Sequence, residues 1–320
     1  MVATSRAAGR GMTGRILVMG AAGRLGYAAA EAFRDAGWRV RSLVRPGRAA
    51  AAPPNTEAVE VVTRDAAVEA ARGCDVVLNA LNPIITEWRK NALSLAYSAI
   101  AAAEANGATL LFPGNVYNYG RDMPAVIDES TPMHPTARKG AMRVEIEQRM
   151  REASERGMQA IVLRAGDFFG AGRGSWLDLV IAKELARSRI TYPGPLDVIH
   201  AWAYVPDLAA AMVRLVAIRH TLARFETFGF PGYAITGAQL IAAIEAATQR
   251  KFNVRHMSWW MLRTIGQLLT IGRELSEIEY LWRVPHRISG DKLKAAIGDV
   301  PHTPLVEALR ASLAALGHRP

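Results

Sequence analysis

Cysteine is almost missing from this 320-residue sequence, which has Cys74 as its one cysteine. That scarcity excludes an internal disulfide bond and any metal site built from several cysteines. The most apolar late stretch, Ser258 to Ile271, is too short to span a membrane and carries Arg263. We therefore expect a cytoplasmic location and no membrane partner.

Lysine is also scarce, although the chain is basic. The formal net charge is +10, yet only six of the 39 basic residues are lysines, and the arginines are scattered along the sequence. A nucleic-acid groove would need basic runs interleaved with aromatic side chains, and the sequence has none. We therefore expect no nucleic-acid partner and interpret the charge as a surface that attracts small anionic molecules.

The segment from Ile16 to Gly26 predicts a phosphate-binding turn. An apolar run ending at Met19 leads into Gly20, Gly23 and Gly26, and a helical pattern follows. Backbone N–H groups and the helix dipole at such a helix N-terminus hold a phosphate. The glycines allow a tight turn and a close approach of the pyrophosphate to the backbone. We expect a dinucleotide site here.

Short apolar runs alternate with helical patterns through the first half of the chain. Strands are predicted at 16–19, 39–44, 58–62, 76–78, 109–112 and 160–164, and helices at 24–36, 66–72, 87–105 and 139–156. This alternation predicts an α/β fold with a doubly wound parallel sheet, the Rossmann arrangement. We assign 1–14 to a flexible leader without a secretory signal and 15–165 to a dinucleotide-binding Rossmann domain. Residues 166–320 form a smaller, mostly helical substrate-binding region, from which 200–230 return to the Rossmann domain.

The second half is predicted to be less regular. We expect helices at 175–187, 206–218, 237–248 and 304–316, strands at 190–192, 200–205 and 226–229, and two helices that flank Gly272. This pattern does not extend the sheet simply, so a substrate-binding region beside the carboxyl ends of the strands is favoured.

The second predicted strand does not end in an acidic residue, which is the residue that NAD(H)-binding sites usually have there. About 20 residues beyond the glycines, the second strand of such sites usually ends in an acid that binds the ribose 2′-hydroxyl. No acid lies between Asp35 and Glu57. Arg45 closes the strand instead and Arg48 follows it, and a guanidinium pairs with a 2′-phosphate in forked geometry. The sequence therefore predicts NADP(H) rather than NAD(H) as the cofactor.

Two further segments follow strands that are expected to face the cofactor. Asp65 comes after the third strand and either hydrogen-bonds the adenine amino group or caps the next helix, and both interpretations stay open. Asn79 to Pro83 ends the fourth strand with small and polar residues, which suits a backbone that runs past the cofactor ribose.

These motifs resemble the extended and atypical short-chain dehydrogenase/reductase superfamily, and more narrowly the NAD-dependent epimerase/dehydratase-like proteins. The resemblance rests on the glycine spacing, Asp65, 79–83 and 201–207, and it covers Arg15 to Leu316. Leu163 to Gly170 is similar to the stretch of that family that contacts the nicotinamide half. The resemblance implies a homodimer through the helices predicted at 87–105 and 139–156.

The motifs and the resemblance together predict one set of cofactor-binding residues. These are Gly20, Ala22, Gly23, Arg24, Leu25, Gly26, Arg45, Asp65, Asn79, Ala80, Leu81, Pro113, Gly114, Lys139, Gly166 and Phe168.

The catalytic pair of the resembled family is absent. Its members carry Tyr-x-x-x-Lys on the helix after the fifth strand, with a Ser or Thr at that strand's end. Here Gly114 and Asn115 replace the hydroxyl residue, and keeping Lys139 in register places Pro135 at the tyrosine position. Lys139 followed by Arg143 instead resembles the isoflavone-reductase and phenylcoumaran-benzylic-ether-reductase-like proteins, whose lysine serves catalysis.

Lys139, Tyr117 and Asn115 are therefore the predicted catalytic residues. A lysine near a pyrophosphate can bond the ribose, or donate a proton if desolvation lowers its pKa; the alternative is an ordinary surface lysine. Tyr117 either supplies the missing proton or lines the substrate pocket. The histidines have no spacing typical of a metal site or a catalytic triad, so we predict no metal.

Together these features predict an NADP(H)-dependent oxidoreductase. Hydride would pass between the cofactor and a carbonyl, carbinol or conjugated double bond of a small organic substrate. One alternative is a sugar-nucleotide epimerase or dehydratase of the same fold, which the missing Tyr–Lys pair disfavours. Another is a non-catalytic, NADP(H)-sensing regulatory protein.

Overall fold

Strands and helices alternate along the chain in this computed structural model, which describes residues 14–61, 63–266 and 269–318. The strands, numbered in chain order, are β1 (Arg15–Met19), β2 (Arg39–Val44), β3 (Glu57–Glu60), β4 (Val76–Asn79), β5 (Thr109–Gly114), β6 (Val126–Ile127), β7 (Gln159–Arg164), β8 (Asp167–Phe169), β9 (Arg189–Tyr192), β10 (Ile199–Tyr204), β11 (Phe225–Gly229), β12 (Tyr233–Thr236), β13 (Asn253–His256) and β14 (Arg287–Ile288). The α-helices are α1 (Arg24–Asp35), α2 (Arg64–Ala70), α3 (Trp88–Asn106), α4 (Arg138–Glu155), α5 (Val205–Ala217), α6 (Gly237–Thr248), α7 (Trp259–Gly266), α8 (Thr270–Ser276), α9 (Asp291–Ile297) and α10 (Leu305–Ala315). Apart from Gly14, the predicted leader lies outside the described residues.

Seven of these strands form one parallel sheet in the order β11-β7-β5-β4-β1-β2-β3. The chain runs outward from β1 through β2 to β3, then returns to β4 on the other side of β1. Ligands of open parallel sheets bind at the carboxyl ends of the strands, at the point where the strand order reverses. The predicted doubly wound α/β fold is confirmed, and its switch point lies between β1 and β4.

Helices cover both faces of this sheet, which explains why its central strands are apolar over most of their length. In β1, Ile16 and Val18 pack into a core with α1 and α5, whereas Leu17 and Met19 pack into a second core with α2, α3 and α4. Successive side chains of a strand point to opposite faces, so a sheet buried on both sides needs a continuous apolar run.

The rest of the chain builds smaller sheets beside the large one. β8, β10 and β12 form a three-stranded sheet, and β9–β13 and β6–β14 pair separately. Between 200 and 230 the chain crosses both parts, because β10 lies in the small sheet while β11 completes the large one. Among the described residues, no helix is both long and apolar enough to cross a membrane.

The helix predicted at 175–187 does not form as one α-helix. The structure has a π-helical turn at Leu177–Ile181 and a 3₁₀ turn at Leu185–Arg187. Leu177, Ile181 and Leu185 are all fully buried at a spacing of four residues. A regular α-helix drifts away from that spacing, and the wider π turn compensates for the drift.

Gly272 lies inside α8 rather than between two helices, which corrects the predicted arrangement. A Cβ atom at Gly272 would come within 2.6 Å of the backbone N of Gly266 and the backbone O of Leu262. The glycine is therefore the contact at which α8 crosses α7.

Candidate active site

The glycine turn between β1 and α1 forms a cradle at the switch point. Gly20 has φ +87°, and a Cβ atom there would lie 2.9 Å from the carbonyl O of Ala80. A Cβ at Gly26 would lie 2.2 Å from the carbonyl O of Gly20, so α1 packs directly on the turn. Gly23 is the N-cap of α1, no side chain caps the helix, and its first turn has no acid. The helix N–H groups therefore stay available for a phosphate, which fits a nicotinamide dinucleotide.

The other predicted residues of this turn lie around the cradle. Ala22 and Leu25 are half-buried beside it. Arg24 donates from Nη1 to the carbonyl O of Phe168 at 2.9 Å, which ties α1 to β8. Burial lowers the pKa of Arg24, and the charges of Asp178 and Asp167 oppose that shift. The structure thus brings the segment after β7 next to the glycine turn.

The ends of β4 and β5 continue the same edge of the sheet. Ala80 donates its N–H to the carbonyl O of Met19 at 3.0 Å, and the Asn79 side chain accepts from the N–H of Leu81 at 3.2 Å. Pro113 and Gly114 end β5, where they are paired with β7. At Gly166, a Cβ would lie 2.1 Å from the carbonyl O of Ala201, so this glycine permits close packing of backbone.

The residues predicted to contact the adenosine half of the cofactor lie after the ends of β2 and β3. Arg45 and Arg48 follow β2, are exposed, and have no side-chain partner among the described residues. Glu60 in β3 lies beside this turn and accepts a hydrogen bond from the N–H of Ala49 at 3.2 Å. Asp65 is exposed in the first turn of α2, but Thr63 is that helix's N-cap, so the capping interpretation of Asp65 is wrong.

Asn115 and Tyr117 lie in a short 3₁₀ helix after β5. The Asn115 side chain accepts from the N–H of Tyr117 at 3.1 Å and so begins this helix. Among the described residues the Tyr117 hydroxyl has no hydrogen-bond partner. Burial raises the pKa of Tyr117, the charge of Asp167 adds to the rise, and the charge of Arg143 opposes it. Tyr117 is therefore a neutral phenol at neutral pH and can donate a hydrogen bond.

Lys139 is buried, and its side chain contacts Glu274 of α8 and Glu277, the residue directly after α8. Its Nζ contacts the carboxylate of Glu274, the carbonyl O of Glu274 at 3.1 Å and the carboxylate of Glu277 at 3.0 Å. Its backbone N–H donates to Glu277 at 2.8 Å. The interpretation as an ordinary surface lysine is wrong, because only 3% of the side chain is exposed.

The comparisons with known proteins agree with this geometry. The model of the NAD dependent epimerase/dehydratase family matches residues 16–226, more than half of the chain. The chain belongs to this family. The resemblance to the NAD-dependent epimerase/dehydratase-like proteins and the prediction of an enzyme are therefore confirmed, and NAD is the cofactor that the family description names.

Solved structures of epimerases and of one further NAD⁺-bound enzyme share the fold at low sequence identity. A proposed epimerase from Burkholderia cenocepacia J2315 is 22% identical with a TM-score of 0.75, over 94% of this chain and 97% of that one. WbmH from Bordetella bronchiseptica, solved with NAD⁺, is 16% identical with a TM-score of 0.72, over 95% and 98%. The UDP-Glc/GlcNAc 4-epimerase from Campylobacter jejuni is 14% identical with a TM-score of 0.72, over 94% and 98%. No curated protein matches this chain significantly.

Arg143 occupies the place in this epimerase/dehydratase-family chain where α4 meets the end of β5. Its guanidinium lies over the rings of Trp88 and Phe112, at 5.2 and 5.3 Å, and makes a long hydrogen bond of 3.5 Å to the carbonyl O of Pro113. Burial lowers its pKa. Lys139 and Arg143 thus point in different directions, one to α8 and one to the cofactor edge.

The structure shows where the positions compared with the missing pair lie. Pro135 precedes α4, which begins at Arg138, whereas Lys139 and Arg143 both lie on the helix, four residues apart. The four-residue spacing of the family's Tyr and Lys on this helix is therefore matched by Lys139 and Arg143. Sequence analysis gave Arg143 no separate role, and its only signal was its distance from Lys139.

Asp167 and His200 form a pair that was not predicted from the sequence, with His200 buried and Asp167 partly buried. The His200 ring Nε2 lies 2.9 Å from a carboxylate oxygen of Asp167. Their separation of 33 residues follows no local periodicity, so the sequence had no signal for it. Among the described residues, no group of three or more His, Cys, Asp or Glu could hold a metal ion.

Proposed function

We propose that this protein is an NADP(H)-dependent oxidoreductase that transfers hydride to or from a carbonyl, carbinol or conjugated double bond of a small organic substrate. The observation that carries the proposal is the glycine cradle, where Gly20 and Gly26 leave room and the N-terminus of α1 has no capping side chain. When bound, the nicotinamide would supply or accept the hydride.

The chain's own residues suit distinct parts of the cofactor. The N–H groups of α1 would hold the pyrophosphate, with Arg24 beside them. The turns after β4 and β5 would run along the nicotinamide ribose, where Arg143 supplies a positive charge. Arg45 would bind the 2′-phosphate, because it is exposed, unpaired among the described residues, and follows a strand without a terminal acid.

We assign different roles to the three predicted catalytic residues. Tyr117 would donate a hydrogen bond to the substrate oxygen, since its hydroxyl is unpaired among the described residues and protonated. Lys139 would position α4, because its ammonium is fully engaged by α8. A Cβ at Gly140, the next residue, would lie 2.2 Å from the carbonyl O of Tyr117, so the start of α4 directly supports Tyr117. Asn115 would fix the Tyr117 backbone.

Cofactor choice is tested by titrating NADPH and NADH against the purified chain while following tryptophan fluorescence. We expect NADPH to bind about 10- to 100-fold more tightly, since a charge-assisted hydrogen bond contributes about 1.5–3 kcal/mol. Arg45→Ala should remove this preference without weakening NADH. Arg39→Ala, an exposed arginine at the other end of β2, is the control. Equal or weaker NADPH binding in the wild type would refute the NADP(H) assignment.

Activity is tested with a panel of aldehydes, ketones and enones in the presence of NADPH, following its absorbance. Turnover of one class identifies the reaction. Cofactor binding without turnover of any compound would instead favour the regulatory alternative.

A sugar-nucleotide epimerase or dehydratase is the second candidate, favoured by the family match and by UDP-sugar epimerases that share the fold. Incubation with UDP-glucose and NAD⁺, followed by chromatography of the sugar nucleotides, tests it. The buried ion pairs of Lys139 count against it, because reversible oxidation at a sugar hydroxyl needs a base and this lysine is occupied.

A further inference from the structure

Asp167 and His200 form a rigid pair on neighbouring strands, β8 and β10. Only 1% of the His200 side chain is exposed, against 17% for Asp167. The His200 ring stacks on Trp282 with centroids 4.3 Å apart and planes within 3°. Its Nδ1 lies 3.2 Å from the carbonyl O of Leu281, and its Nε2 lies 2.9 Å from Oδ2 of Asp167. Both ring nitrogens are thus engaged, and the stacking prevents rotation.

These contacts determine which oxygen of the Asp167 carboxylate can accept a hydrogen bond from another molecule. A carbonyl oxygen only accepts, so Nδ1 of His200 must carry a proton and donate it to Leu281. The hydrogen bond between Nε2 and Oδ2 of Asp167 places its proton on one of these two atoms. In both placements the second oxygen, Oδ1, carries no proton. Oδ1 is therefore a hydrogen-bond acceptor in either state.

The free oxygen of Asp167 is also the accessible end of the pair. Oδ1 has no hydrogen-bond partner in the part of the chain that the structure describes, and the side chain keeps some exposure while His200 has almost none. Burial lowers the pKa of the neighbouring His286 ring to about 4, so that ring is neutral and places no second positive charge beside the pair.

Asp167 lies at the crevice where substrate is expected. The next residue, Phe168, accepts the hydrogen bond from Arg24 of the glycine turn. A negative charge at Asp167 also opposes the lowering of the Arg24 pKa and adds to the rise of the Tyr117 pKa. Tyr117 follows β5 and Asp167 follows β7, and these two strands are neighbours in the large sheet, so the donor and the acceptor come after the carboxyl ends of adjacent strands.

We propose that Asp167 is a specificity-determining residue that accepts a hydrogen bond from a hydroxyl group of the substrate, with His200 as its positioning residue. The substrate class is accordingly a hydroxy-carbonyl compound or the corresponding diol, with its carbonyl or carbinol oxygen at Tyr117 and a second hydroxyl at Asp167. This inference rests on the proposed oxidoreductase function. A site built around a buried acceptor rejects analogues that lack the matching donor, because the acceptor is then left unpaired.

The test compares matched ketones with NADPH: 2-hydroxyacetophenone, its O-methyl ether and acetophenone. Wild-type protein should use the hydroxy ketone with kcat/KM at least about 100-fold above the other two, since a missing hydrogen-bond donor is discriminated strongly. This comparison needs no variant. Turnover of all three with similar kcat/KM overturns the inference and leaves the oxidoreductase proposal intact, whereas turnover of none, with NADPH bound, overturns both.

Variants separate an acceptor role from a structural or acid–base role. Asp167→Asn keeps an acceptor oxygen, since its amide can donate to a neutral His200, and should keep the hydroxyl preference within about threefold. Asp167→Leu removes the acceptor. It should raise KM for the hydroxy ketone and make the kcat/KM values of the three compounds similar. Asp197→Leu, an exposed acid before β10, is the control. Loss of turnover in folded Asp167→Asn, judged by its circular dichroism melt, would overturn the acceptor role.

Discussion

Lys139 carries one positive charge into a buried position where two carboxylates meet it. Lys139 lies on α4, Glu274 on α8 and Glu277 directly after α8, so the contact joins the start of the helix beside Tyr117 to the C-terminal part of the chain. Charges removed from water are costly unless they are paired, and breaking a buried pair leaves the remaining charge uncompensated. This makes Lys139 first of all a structural residue.

Replacing Lys139 by methionine should lower the free energy of unfolding by about 3–5 kcal/mol, because Glu274 is then buried without a counter-charge. Urea denaturation at pH 7 measures this. Lys90→Met is the matched control at an exposed site of α3, and it should change stability by less than about 0.5 kcal/mol. A loss below about 1 kcal/mol in Lys139→Met would contradict the structural role assigned from the burial of the pair.

The single residue His286 makes a pH-dependent contribution to the free energy of unfolding. Burial lowers its pKa from 6.5 to about 4, while Nδ1 donates to the carbonyl O of Val284 and Nε2 has no partner among the described residues. Protons therefore bind more strongly to the unfolded chain. The stability from the neutral ring is complete above about pH 6.5 and is lost as the pH falls towards 4, a loss of about 3 kcal/mol.

We expect the unfolding free energy of the wild type to fall more steeply between pH 6.5 and 4 than that of His286→Asn. Asparagine keeps a donor near Nδ1 but does not titrate. Urea denaturation at several pH values gives both curves. Parallel curves would show that His286 is not the group responsible.

At the scale of elements, the contact between α1 and the glycine turn decides whether a cofactor cradle exists. A Cβ at Gly26 would meet backbone, which cannot rotate away, at 2.2 Å from the carbonyl O of Gly20. A Cβ at Gly23 would meet the same atom at 3.2 Å, a tight contact that a small shift relieves.

Gly26→Ala should therefore destabilise the protein by about 1–3 kcal/mol more than Gly23→Ala, and it should weaken NADPH binding by displacing α1. Thermal unfolding and fluorescence titration of the two variants provide the comparison. Equal stability of the two variants would mean that α1 does not pack on the turn as the structure describes.

At the scale of the whole molecule, the expected homodimer through α3 and α4 stays a prediction. The two helices pack side by side, and Tyr97 of α3 contacts Glu145 of α4. The large exposed hydrophobic side chains among the described residues lie elsewhere, with Trp260 and Met261 of α7 among them. A dimer through α3 and α4 would accordingly be a polar one, which salt weakens.

Light scattering at low salt should give about twice the chain mass, and Ser94→Arg on the exposed face of α3 should restore the monomer by placing like charges together. Trp260→Ser serves as the control and should leave the dimer unchanged. If Trp260→Ser dissociates it instead, the interface lies on α7.

Much of the fold could be predicted because its signals are local. The strand β2 and the helix α6 have the bounds that the sequence predicts, and the central strands differ by one or two residues. Local periodicity failed at 175–187, where buried residues four apart require a wider turn. It also misplaced Gly272, whose role depends on the crossing of α7 and α8 rather than on its neighbours in sequence.

The candidate site likewise divides into residues that local sequence signals predict and residues that only the fold brings together. The residues of the glycine turn lie within one short segment of the sequence, and the arginines after β2 lie within another. Residue spacing alone therefore predicts a cofactor cradle. The partners of Lys139 lie 135 and 138 residues away, and those of His200 lie 33 and 81 residues away. No periodicity links such residues, and they meet only because strands and helices are packed in three dimensions.

By itself, the sequence determined that this protein has a doubly wound parallel sheet with a glycine-rich turn between its first strand and first helix, because apolar periodicity and glycine placement are properties of contiguous residues. Only the tertiary structure decided that Lys139 is an ion-pair partner of α8, that Arg143 reaches the end of β5, and that Asp167 presents one oxygen as an acceptor. The physical reason is that burial, charge pairing and protonation depend on groups that the fold brings together from distant parts of the chain.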